Sequence, residues 1–231
     1  MLIGNDVVDL GHAGDRGRAG DSRFIARVFA DEEAAWVREP GCDPHRRLWA
    51  LWAAKEAAFK IARKLDPSAG FVPRRFVVKF RGPTGWVCLP SPLGVNRSVV
   101  VHWTTTSSYL HAVAFLDDAR GGSVLARVCA LARFGELELS RLPLTSREAS
   151  TVRSRESAVV RLLAKELAGE SGAGDVEVVR RATPAGTSPP RLYGFGDPLP
   201  LSGWDVSLSH DGRFAAAALF RSELAGSKRS A

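Results

Sequence analysis

The sequence predicts an α+β protein built as a pseudo-twofold pair of similar lobes, and three observations carry that expectation. Its 231 residues exceed one average domain and divide into two of about 115 residues each. Each half reads helix-first and sheet-last, the order of an α+β domain. A helical segment, Leu51-Trp-Ala-Ala-Lys55-Glu56-Ala-Ala58, also returns as Leu162-Leu-Ala-Lys165-Glu166-Leu-Ala168, and each half closes on an apolar run, Tyr109 to Leu116 and Phe214 to Phe220. The turn-rich stretch from Asp117 to Gly122 suits a linker, which gives lobes of 1–118 and 119–231.

The elements follow from periodicity. Val7-Val8 reads as a short buried strand. Ser22 is placed to cap a helix through Phe29, and Asp31 another through Val37, with Pro40 beyond its end. Residues 45–64 form the strongest helix, with Leu48, Trp52, Phe59 and Ala62 at helical spacing and Pro67 and Gly70 ending it. Phe76–Phe80, Trp86–Leu89, Ser98–Trp103 and Tyr109–Leu116 read as strands. In the second half a helix is expected from Arg147 to Leu167, stopped at Gly169, followed by strands at Val176–Arg180, Trp204–Ser209 and Arg213–Phe220.

Composition narrows the partners. Charged residues make up 25% and apolar residues 45%, as in a folded soluble chain rather than a disordered one. The formal charge of +7 favours an acidic partner: nucleic acid, a phosphorylated ligand or an acidic protein. Cys42, Cys88 and Cys129 lack metal-like spacing and are odd in number, against a disulfide framework or a zinc site. Asp6 and Asp9 interrupt any signal-peptide core, and no apolar run is long enough to span a bilayer, so a cytoplasmic location without membrane contact is expected.

Four segments carry candidate chemistry. Gly4-Asn5-Asp6 precedes an apolar strand; it either presents a carboxylate at the strand's edge or forms an Asx-type turn. Glu56 lies between Trp52 and Phe59 on the apolar face of the strongest helix, where an unpaired carboxylate is costly and needs a cation or a proton. With Lys60 one turn on and Lys55 on its flank, it suits a divalent cation bound to phosphate oxygens; an intrahelical Glu56–Lys60 pair on a partly exposed face is the plainer reading. Ser207-Leu-Ser209-His210-Asp-Gly212 places a hydroxyl and an imidazole at a sheet edge, both able to donate to phosphate, or is a polar hairpin turn. Arg147, Arg153, Arg155 and Arg161 read as a solvated charged face, with Arg155 singled out where its helix enters the apolar pattern.

Together these segments resemble the 4′-phosphopantetheinyl transferase superfamily. Gly4-Asn-Asp6 resembles its Gly-x-Asp motif, and Trp52-Ala-Ala-Lys55-Glu56-Ala-Ala-Phe-Lys60 its Trp-x-x-Lys-Glu-Ala-x-x-x-Lys helix. Arg27-Val-Phe29 with Glu33 is similar to the family's Arg-x-Phe…Glu segment, and Ser207 to Phe214 to the Ser-His segment of the two-lobed, surfactin-type members. The lobe order is exchanged relative to those members, in which the Ser-His lobe comes first. Where they often carry a second acid this chain has Val8, and the family's Gly-Lys-Pro segment is degenerate at Gly186-Thr-Ser-Pro189-Pro190-Arg191.

The resemblance implies transfer of 4′-phosphopantetheine from coenzyme A to a serine of an acidic acyl or peptidyl carrier protein, with 3′,5′-ADP as the other product. It implies Mg²⁺ on Asp6 and Glu56, with Glu56 and Lys60 as the catalytic pair. Lys55, Lys60, Arg155, Ser209 and His210 would hold the coenzyme. Lys165-Glu166, lacking a Gly-x-Asp partner, reads as a relic rather than a second site, and two lobes in one chain favour a monomer. A metal-dependent nuclease or basic nucleic-acid-binding protein is the alternative, which core-spaced aromatics speak against. An inactive interaction module is a third; Asp6, Glu56, Lys60 and His210 standing together argue against it.

Overall fold

The computed structural model describes residues 1–12, 17–81, 84–90, 97–116, 121–135, 141–183 and 186–223; of the expected linker, Asp117 to Gly122, residues 117–120 lie outside them. The chain divides into two compact units, one of Gly4–Leu116 and one of Met1–Ile3 with Asp117–Ala231.

The first unit contains β1 (Leu2–Asp9) from Gly4 onward, followed by α1 (Ser22–Val28), α2 (Asp31–Arg38) and α3 (Pro44–Leu65). Then come β2 (Val77–Arg81), β3 (Thr84–Cys88), β4 (Ser98–Thr105) and β5 (Tyr109–Leu116) in one sheet of order β1-β5-β4-β3-β2. The hairpins from β2 to β5 pair antiparallel. Helix α3 starts where Asp43 accepts from the His45 and Arg46 amides and Pro44 supplies a preset first turn. It packs on β5, whose buried Ala112 and Ala114 let it lie close. The sheet-facing side holds Leu48, Leu51, Ala54, Ala58 and Ile61, all inaccessible to solvent.

In the second unit β6 (Gly122–Ala130) precedes the one-turn α4 (Ser146–Ala149) and α5 (Arg155–Glu170). Strands β7 (Val176–Val179), β8 (Ala182–Thr183), β9 (Gly186–Thr187), β10 (Arg191–Gly194), β11 (Trp204–Asp211) and β12 (Phe214–Ser222) come after them. An antiparallel sheet of order β11-β12-β6 carries α5, which packs on β12 over the buried run Ala215–Ala218. Strand β7 pairs with β10, and β8 with β9. Ile3 belongs to this unit and donates its amide to Asp205 Oδ2 at 2.8 Å.

Several local expectations are corrected. Gly4, Asn5 and Asp6 lie inside β1 and not before a short strand at Val7. The single helix expected over Arg147–Leu167 is two, because Ser150 and Thr151 turn their hydroxyls back onto the carbonyls of Arg147 and Glu148. Ser154 then caps α5 afresh by accepting from the Ser157 amide. Gly169 stands inside α5, and the left-handed residue after its end is Gly172, at φ 83°. The first helix is capped by Asp21, one residue before the expected Ser22.

No helix of the described residues is long and apolar enough to cross a membrane.

Candidate functional site

Gly4 brings β1 onto α3. A Cβ at this position would overlap the carbonyl oxygen of Ala57 and meet Ile61, so only glycine permits this approach. Two residues along the same strand face, Asp6 thereby comes to Lys60, whose ammonium donates to Asp6 Oδ1 at 3.1 Å and to the Asn5 carbonyl at 2.6 Å. Gly4→Ala is accordingly expected to push β1 off α3. We expect a loss of about 1–3 kcal/mol in urea unfolding.

Glu56 is half-buried on the helix face it shares with Trp52 and Phe59, whose rings lie 5.7 and 4.8 Å from that of Phe71. These apolar surroundings raise its carboxyl to about 7, the nearby charge of Asp6 pushes the same way, and Lys60 opposes both. The two carboxylates and Lys60 therefore lie within electrostatic reach of one another. Lys60 is spent on Asp6 and the β1 backbone rather than forming only a surface pair with Glu56. A carboxyl poised near 7 suits proton acceptance at physiological pH.

Lys55 departs from the expectation that it faces the coenzyme. It is inaccessible to solvent, with its ammonium bonded to Glu33 Oε2 at 2.7 Å and to the carbonyls of Pro73 and Phe76 at 3.1 and 2.6 Å. Glu33 also accepts from the amides of Ala30 and Val78, so it ties the start of α2 to α3 and β2.

The second unit repeats the glutamate's bonds in this strut atom for atom: Glu148 Oε2 accepts from Lys165 at 3.1 Å and from the Thr145 amide, and Oε1 from the Val178 amide at 2.8 Å. Beyond the strut lysine the two helices differ in their charges. Glu166, one residue after Lys165 as Glu56 is after Lys55, pairs with Arg133 at 3.0 Å. Glu170, five residues after it as Lys60 is after Lys55, takes both guanidinium nitrogens of Arg127 on β6. Where the first unit has two acids and a lysine, the second has two acid–arginine pairs.

Ser209 and His210 lie on the edge strand β11 and face opposite sides of it, Ser209 buried and His210 exposed. The α5 N-terminus is close by, since His210 contributes to holding the Glu156 carboxyl below its ordinary range, after hydrogen bonds from the Glu156 backbone and Ser154. Arg155 Nη2 donates to the carbonyls of Leu131 and Gly135, while its buried Nε has no hydrogen-bond partner among the described residues.

The other arginines are not a uniformly solvated face. Arg161 is buried against the carbonyls of Val178 and Ser157, and burial lowers its pKa to about 10. Arg147 pairs with Glu177 and lies over Tyr193. Arg191 is exposed on β10.

Residues 2–79, which include Asp6, Glu33, Lys55, Glu56 and Lys60, match the family model of the 4′-phosphopantetheinyl transferase superfamily. Over these residues the chain is similar to that superfamily. The match covers 78 of 231 residues (2 through 79) and supports 4′-phosphopantetheinyl transfer as the general activity. No curated protein matches the chain.

The superfamily resemblance implies a bound Mg²⁺, and the donors present can be weighed against it. Among the described residues no group of three or more His, Cys, Asp and Glu is placed to hold a metal ion. Mg²⁺ does not require one, since it keeps several waters and commonly takes one or two carboxylates plus substrate phosphates. Asp6 and Glu56 supply two hard oxygen donors whose mutual repulsion a cation would relieve, and in that sense they fit. Val8, at the position of the absent third acid, is buried in β1.

Proposed function

We propose that the protein transfers the 4′-phosphopantetheine arm of coenzyme A to a serine hydroxyl of an acyl or peptidyl carrier protein and releases 3′,5′-ADP. The observation that carries this reading is the cluster of Asp6, Glu56 and Lys60 within the matched segment, with the Glu56 carboxyl raised to about 7. In the reaction the serine oxygen bonds to the phosphorus that carries the pantetheine. The bond from that phosphorus to the 3′,5′-ADP oxygen breaks, and the serine proton passes to Glu56. Asp6 and Glu56 would hold Mg²⁺, which supplies charge neutralisation at the diphosphate. Lys60 adds a further positive charge to the phosphate under attack. The +7 chain suits an acidic carrier protein as its partner.

Arg155, Ser209 and His210 serve the coenzyme's phosphates in this reading; the support is the Arg155 Nε, without a partner among the described residues, and the exposed imidazole beside the α5 N-terminus. His210→Ala and Arg155→Ala are expected to raise the KM for coenzyme A about tenfold each, with kcat changed less, in a steady-state assay.

The deciding experiment incubates an apo carrier protein with coenzyme A and Mg²⁺ and weighs the product. The expected result is a carrier heavier by one phosphopantetheine. Absence of that adduct on several carrier proteins, with the enzyme folded, would overturn the reading.

A further inference from the structure

Asn5 and His111 form a buried polar pair that transfer chemistry does not itself require. Asn5 on β1 is inaccessible to solvent and His111 on β5 nearly so, and Asn5 Nδ2 donates to His111 Nε2 at 3.1 Å. A strand interior flanked by Ile3 and Val7 on one element and by Leu110 and Ala112 on the other would be cheaper to fill with apolar side chains. What a buried amide–imidazole bond adds is register, since sliding β1 by one residue would carry Asn5 away from His111.

The same residue that is held in this way offers its backbone to Lys60. The Asn5 carbonyl is the shorter of the two oxygen contacts of the ammonium, 2.6 Å against 3.1 Å to Asp6. From these distances we infer that Asn5 and His111 are positioning residues for Lys60: their side-chain bond fixes the β1 backbone so that the Asn5 carbonyl aims the ammonium at Asp6. The imidazole suits this place because it stays uncharged. Burial first, and then the neighbouring Lys60, push its pKa down to about 4, so its Nε2 accepts from Asn5 and does not repel Lys60. The role rests on the transferase reading only for what Lys60 does with substrate; the geometry is tested without substrate or metal.

The test uses the full-length, metal-free protein and measures reductive methylation of individual lysines by peptide mass spectrometry, with Lys64 and Lys79 as internal references. Asn5→Val, His111→Leu and the double variant are compared with His111→Gln, whose amide oxygen can accept from Asn5. Release of Lys60 from an aimed contact is expected to raise its relative methylation rate about fivefold in the Val and Leu variants. His111→Gln should return the rate to that of the wild type, and the double variant should equal the singles because both cut one interaction.

The double variant leaves neither polar group unpaired, so it reports even where a single variant fails to fold. A folded double variant with an unchanged Lys60 rate, whatever its melting temperature, would overturn the inference and leave the pair a structural one. In the transfer assay the same variants should lower kcat and leave the KM for the carrier alone. If no carrier is modified by the wild type, the methylation result still stands or falls by itself.

Discussion

Replacing Glu56 by glutamine is expected to abolish transfer and, in the same variant, to stabilise the metal-free chain at neutral and alkaline pH. In the proposed reaction Glu56 would both face the phosphates and accept the serine proton, so its removal should cost about 10³-fold or more. The stability gain follows from linkage. In the unfolded chain the carboxyl ionises near its model value of 4.5, whereas in the fold it keeps its proton until about 7. Between those values the folded state binds more protons than the unfolded one, so this group's contribution to stability is present below 4.5 and lost as pH rises through 7. The full loss is on the order of 2–3 kcal/mol, somewhat reduced by the partial exposure of the side chain. Glu56→Gln does not titrate and escapes it. Urea unfolding of both proteins without metal at pH 5 and pH 8.5 checks the prediction, since the variant's advantage should appear only at the higher pH. Equal pH dependence would remove the assignment of Glu56 as a buried acid beside Asp6. Added Mg²⁺ should reverse the order at pH 8.5, since the wild type alone has both carboxylates for it.

The part of this site that was legible in the sequence is the part set by local periodicity. Glu56 falls between Trp52 and Phe59 at helical spacing, so its place on the apolar face of α3 could be read before any fold was known. Asp6 was readable as an acid tied to an apolar strand, but not as a mid-strand residue. The close approach that defines its position depends on the missing Cβ of Gly4 beside the carbonyl of Ala57, and the two residues lie 53 positions apart (57 − 4).

The burial of Lys55 is hidden from the sequence for a related reason. Adjacent residues on a helix point about 100° apart, so a lysine beside an inward glutamate looked like a flank residue, while its actual partner Glu33 comes from a different helix. A signal did exist in the chain: Asp31-Glu-Glu33 and Ser146-Arg-Glu148 both place a glutamate at the third helical position ahead of a Lys-Glu segment. His111 gave no signal, since one histidine inside an apolar strand has the same appearance whether or not an asparagine faces it. The break between α4 and α5 is not legible because helical spacing of apolar residues masks the local competition from Ser150 and Thr151.

The largest stability effect is expected at Lys55. Lys55→Met leaves the Glu33 carboxylate buried with two backbone amides but without its cation, and leaves the carbonyls of Pro73 and Phe76 facing a thioether. Burial lowers the Lys55 pKa and Glu33 opposes that shift, so the charge persists there because of its partner. Breaking such a pair from one side costs about 3–5 kcal/mol, and thermal unfolding should show it. Lys165→Met makes the matching cut in the second unit. Its side chain is 24% exposed against 0% for Lys55, so water can replace part of what is lost and the cost should be smaller.

Activity then separates a strut from a phosphate ligand. A phosphate ligand would show a raised KM for coenzyme A with stability kept, whereas a strut shows stability lost and an unchanged KM in the fraction that remains folded. Melting of Lys55→Met at the wild-type temperature, together with a weakened coenzyme, would return Lys55 to the site. The second unit is the internal control for this choice. It keeps the Glu148–Lys165 strut, yet in place of the two acids and the lysine it has the Arg133–Glu166 and Arg127–Glu170 pairs. A contact retained where the acid pair is missing is explained by the architecture it holds together, and phosphate chemistry is not needed to account for it.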